Sequence, residues 1–95
     1  MAAASIQVQQ MESADPMSFE VTVQEGKSSS RHRVSMTQAT YQKLTGGKVT
    51  PARCIEAAFT FLLDHEPKES ILSRFDVTVI STYFPSFERE VGKYL

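Results

Sequence analysis

FEVTVQEGKSSSRHRVSM, residues 19–36, is the stretch on which the fold turns. Its first five residues alternate strictly, placing Phe19, Val21 and Val23 on one face of a strand and Glu20 and Thr22 on the other. Its last six alternate again, with Val34 and Met36 inward and Arg31, Arg33 and Ser35 outward. Between them, residues 24–30 (QEGKSSS) have turn chemistry: Gly26 supplies positive φ, and the serines bond locally to the backbone. The pattern predicts a β-hairpin with an irregular loop. Upstream, residues 1–17 are small, polar and aperiodic as far as Pro16, and they read as a disordered tail.

Downstream the period changes to that of helices. Thr37 can cap a short helix that buries Tyr41 and Leu44 and stops at Gly46-Gly47. Thr50-Pro51 restarts the chain as cap and first helical residue. In the helix from Pro51 to about His65, Cys54, Ile55, Ala57, Ala58, Phe59, Phe61, Leu62 and Leu63 are apolar, and Arg53, Glu56, Thr60 and Asp64 trace one narrow polar stripe. Such a helix needs cover on most sides, either as the centre of the domain or from a second subunit. Residues 67–75, 76–84 and 86–93 are expected to add further helices, with 76–84 open to a strand reading because of its β-branched content. The expected fold is α+β: an N-terminal β-hairpin followed by four or five α-helices packed on one face, within a single domain spanning 18–95.

Charge is unevenly distributed. Between Gly26 and Ile55 lie Lys27, Arg31, Arg33, Lys43, Lys48 and Arg53 and no acid, although the chain of 95 residues carries a net charge of −1. Confining the positive charge to a third of the chain predicts a basic face for an anionic partner. The candidate contacts are Arg31, Arg33 and Ser35 on the strand, with Lys43, Lys48 and Arg53 reaching phosphates. Against this stands the plainer reading that Glu20 pairs with Arg33 across the hairpin and the remaining cations only solubilise the surface.

Other chemistry has little foothold. The lone Cys54 cannot bridge within the chain and reads as a small core residue, which argues against a disulfide-stapled secreted scaffold. His32 and His65 have no ligand partners at metal spacing, Ser28-Ser-Ser30 has no paired base, and Gly46-Gly47-Lys48 lacks the rest of a phosphate loop. No catalytic residue, cofactor or metal is expected. The first residues have no basic stretch followed by an apolar one, and no window approaches a membrane span, so a cytoplasmic protein without membrane contact is expected.

Two resemblances add to this. Arg31-His-Arg-Val-Ser-Met36, Thr40-Tyr-Gln-Lys-Leu44 and Val49-Thr-Pro-Ala-Arg-Cys-Ile-Glu-Ala-Ala-Phe59 resemble, in order, the units of ribbon-helix-helix DNA-binding proteins. That family pairs its strands in an obligate dimer, which implies a homodimer and a nucleic-acid partner. The chain departs from it in a shorter first helix, a strand preceding the ribbon, and some thirty residues after the second helix. Phe59 to Asp76 and Val79 to Glu90 resemble a group of small uncharacterised bacterial proteins, which implies a stand-alone cytosolic protein and no particular activity. The functional expectation is a non-enzymatic interaction or regulatory domain whose partner is another protein or a second copy, with a nucleic-acid-binding regulator as the alternative.

Overall fold

The computed structural model describes residues 4–95. Four strands form one sheet in the order β1 (Ser5–Glu12), β2 (Met17–Glu25), β3 (Ser28–Met36) and β4 (Arg74–Asp76). The first three run as an antiparallel meander, and β4 returns after the helices to lie parallel to β3.

This overturns the hairpin-plus-helices arrangement expected from the sequence. The sheet gains a strand on either side of the hairpin. On one side, β1 comes from residues read as a tail, of which 1–3 lie outside the described residues. Ile6 and Val8 alternate with glutamines and pair with Val23 and Val21, so the strand extends an apolar row that β2 already presents. On the other side, β4 comes from the end of 67–75, read as a helix. Only one 3₁₀ turn, Lys68–Ser70, forms there. The N–H of Arg33 donates to Ser73 O (2.7 Å) and the N–H of Val77 to Ser35 O (3.0 Å), pairing groups that the second edge of β3 would otherwise leave open. The β2–β3 loop is two residues, not seven. Gly26 takes φ 58° at its first position, as a type II′ turn requires, and the serines continue β3 opposite Val23, Gln24 and Glu25.

The helical layer covers the inner face of the sheet. α1 (Gln38–Thr45) starts where Thr37 accepts from Thr40 N (3.1 Å) and ends at Gly46, whose φ of 65° lets its N–H reach Gln42 O (2.7 Å). α2 (Pro51–His65) starts where Thr50 accepts from Arg53 N (3.2 Å). α3 (Thr78–Tyr83) follows β4 directly, so the ambiguous stretch is the end of a strand and then a helix. Asp76 bridges the two, its Oδ1 accepting from Thr78 N (3.0 Å) and Oγ1 (2.8 Å). α4 (Phe87–Glu90) runs on into a 3₁₀ turn, Val91–Tyr94.

α2 is covered within the chain itself. Cys54, Ile55, Ala57, Ala58, Phe59, Phe61 and Leu62 are buried, with Met17, Phe19, Val21, Val23, Val34 and Met36 forming the sheet side of the same core. Its polar stripe meets the C-terminal segment: Arg53 donates to Tyr94 O (2.6 Å), and the Tyr94 hydroxyl to Asp64 Oδ2 (2.6 Å). The Phe61 ring sits edge-on to Phe87 and Tyr94.

Candidate interaction surface

Helices cover only one face of the sheet, so the outward residues of β3 open onto solvent. Arg31 and Arg33 are exposed, and their partners across β2 are Thr22 and Glu20. Arg33 and Glu20 form the expected cross-strand ion pair at 3.7 Å, long enough to leave the guanidinium available to a third group. On the β4 side, Arg74 stands directly opposite Arg33. Three arginines therefore converge on a shallow hollow of about 270 Å³, which Glu20, His32 and Ser73 complete. Arg74 was not among the residues singled out from the sequence, because a helix over 67–75 would have placed it elsewhere. Ser35 is less available, since its hydroxyl donates to Asp76 Oδ2 (2.7 Å).

The other three cations do not join this cluster. Lys43 on α1 pairs with Glu88 on α4 at 3.1 Å. Arg53 is held by Tyr94 O and by Glu56 at 3.2 Å, and Lys48 is exposed in the turn after α1. The basic segment of the sequence is thus divided between the outer face of the sheet and the helical layer. The three-arginine cluster is itself offset by carboxylates, with Glu20 beside Arg33, and Glu12 and Asp76 lining the adjoining hollow.

Across β4 lies a feature of different chemistry. A groove of about 210 Å³ runs between the end of α2, the loop before β4, and α3. Leu62, Ile71, Leu72, Phe75, Val79, Ile80 and Phe84 make it apolar, and its polar lining is Glu66, Ser70 and the Tyr83 hydroxyl. Leu72 is 47% exposed and Tyr83 66%, so two large apolar side chains stand open at its mouth. Burial raises the Glu66 carboxyl above its ordinary value, with His65 opposing. Phe75 lines the groove and the hollow beside the arginines alike, which makes β4 the ridge between an apolar and a cationic surface.

The remaining reactive side chains have structural partners. His32 is buried against Phe59. Its Nδ1 donates to Leu72 O (2.7 Å), anchoring the loop before β4, and its Nε2 hydrogen-bonds with Ser30 Oγ (2.8 Å), so both ring nitrogens are engaged. His65 Nδ1 donates to Phe61 O (2.8 Å). Cys54 is buried beside Met36, and desolvation pushes its thiol up to about 11, which suppresses the thiolate that nucleophilic chemistry needs. Among the described residues, no group of three or more His, Cys, Asp or Glu side chains is placed to hold a metal ion, and no helix is long and apolar enough to cross a membrane.

β3, the strand that would supply the ribbon of a ribbon-helix-helix unit, pairs with β2 along its whole length and with β4 over Arg33–Ser35. No family model, curated protein or solved structure matches this chain.

Proposed function

We propose that this chain is a non-enzymatic interaction domain that binds a segment of another protein bearing apolar and acidic side chains. The observation that carries the reading is the juxtaposition at β4. The apolar groove with Leu72 and Tyr83 at its mouth lies on one side, and Arg31, Arg33 and Arg74 lie on the other. An apolar side chain entering the groove gains by leaving water, and acidic groups a few residues away find guanidiniums that can grip a carboxylate in two places. A free, buried cysteine suits a reducing compartment such as the cytosol.

The test is selection from a displayed library of random short peptides. Sequences combining aromatic or aliphatic residues with Asp or Glu are expected to be enriched. Leu72→Ser, and separately Arg31→Ala with Arg33→Ala, should each weaken an enriched peptide by about tenfold, equivalent to 1.4 kcal/mol. Enriched peptides that bind both variants as well as the unmodified chain would remove the basis of the proposal. The arginine cluster alone favours a second reading, a nucleic-acid contact. On that reading, retention on DNA falls steeply as salt rises from about 50 to 200 mM. A phosphate backbone would use the arginines and leave the apolar groove beside them empty, so the protein-partner reading is preferred.

A further inference from the structure

The opposite edge of the sheet supports an inference that does not depend on the groove. Among the described residues β1 pairs only with β2, so its outer edge presents a row of backbone N–H and C=O groups with no partner strand there. Edge strands are ordinarily defended by a charge, a proline, a bulge or brevity. β4 is so defended, having three residues of which two are Arg74 and Asp76. β1 is not. Over Ser5 to Gln10 it has neither charge nor proline, and its bulge, between Gln10 and Glu12, and its single charge, Glu12, both lie at the far end.

We propose that two copies of this chain pair through β1, antiparallel about a two-fold axis at Gln7, joining two sheets into one continuous sheet. The sequence of the strand is self-complementary in that register. Side chains on the same face must meet, so the axis falls on a residue, and centring it on Gln7 sets Ile6 opposite the partner's Val8, Ser5 opposite the partner's Gln9, and Gln7 opposite itself. Apolar then meets apolar on the inner face, and amide or hydroxyl meets amide on the outer. Centring on Val8 would instead oppose Ile6 to Gln10. The inner face also needs the cover. Ile6 and Val8 are only half-buried and line a groove of about 290 Å³ against Thr50, Ala52, Arg53 and Glu56 on the flank of α2. A second copy brings its own Ile6 and Val8 against that opening. The rim holds one cation and one anion, Arg53 and Glu56 at 3.2 Å, so the two-fold opposes no surplus of like charge.

Sedimentation velocity across the micromolar to millimolar range is expected to show the apparent mass doubling with concentration. Register is read by cysteine trapping, which is clean because Cys54 is buried. Under mild oxidation Gln7→Cys should cross-link to itself, whereas Gln24→Cys on the outer face of β2 should not. Should Gln7→Cys fail to fold, a mixture of Ser5→Cys and Gln9→Cys chains should cross-link while each alone does not. A chain that stays monomeric throughout the range overturns the proposal. A dimer whose β1 cysteines do not trap in this pattern overturns it equally, by placing the interface elsewhere.

Discussion

Lys68 is 3% exposed, and its ammonium donates to Ser28 Oγ at 2.5 Å and to the Glu69 carboxylate. Burying an ammonium is costly unless it is paired, and these two partners tie the turn before β4 to the start of β3. The hydrogen bond from Lys68 is the main cause holding the Glu69 carboxyl below its ordinary value, with a backbone contribution after it. A carboxyl depressed in the folded state stabilises at pH above its unfolded value, and that contribution is lost as pH falls through the folded one. Glu69→Gln is therefore expected to lower the melting temperature at neutral pH and to leave it unchanged at a pH below the depressed value. Lys68→Met should flatten the acid dependence while keeping neutral-pH stability within about 1 kcal/mol of the original. Melting curves of both variants from about pH 3 to 7 check this, and an acid limb unaltered by either would show the pair to be unimportant. Nothing local in Glu66-Pro-Lys-Glu-Ser70 marks Lys68 as buried, because its burial depends on a strand forty residues earlier. Arg31 and Arg33 were legible as outward-facing because period-two alternation is a local property, while Arg74 depended on a strand pairing invisible to periodicity.

At the level of elements, α1 and α2 were written in their caps and apolar spacing, and both form where Thr37, Gly46 and Thr50-Pro51 place them. The errors fell on the two outermost strands. Ile6 and Val8, with an exposed Met11 beyond them, are the apolar signal of β1, too short a run to separate from a polar tail, and the strand exists because β2 offers Val21 and Val23 as partners. β4 has one buried residue, Phe75, flanked by charges, and the spacing of Phe75 from Ile71 and Leu72 in the preceding loop fits a helix equally well. Tertiary pairing decided both cases. β1 is consequently a structural element. A chain beginning at Met17 would expose one edge of β2 and uncover the inner face beside α2, at a cost on the order of 3 kcal/mol, or roughly 15 °C in melting temperature. Scanning calorimetry of that truncation against the full chain measures it, and coincident transitions would mean that β1 adds nothing.

For the molecule as a whole, the layered arrangement sorts the chemistry by face. Helices take the apolar side of the sheet, the open side keeps the arginines with their offsetting carboxylates, and the two edges differ, one long with a single charge at its end, one short and charged. The single parallel pairing of the sheet has a kinetic consequence. β4 meets β3 through three residue pairs, where β2 meets β3 through nine, and the contact from Ser35 to Asp76 spans 41 positions of chain. Closing so long a segment costs entropy that few bonds repay, so the meander should assemble first and β4 dock last. The same imbalance holds in the native state, where β4 is the strand whose release sacrifices least. Hydrogen–deuterium exchange should accordingly find the Val77 amide, bonded to Ser35 O, trading its proton well before the amide of Val21. Equal protection of the two would refute this order of opening. A peptide seated beside β4 should slow Val77 selectively, so the wall of the proposed binding groove would also report its occupancy.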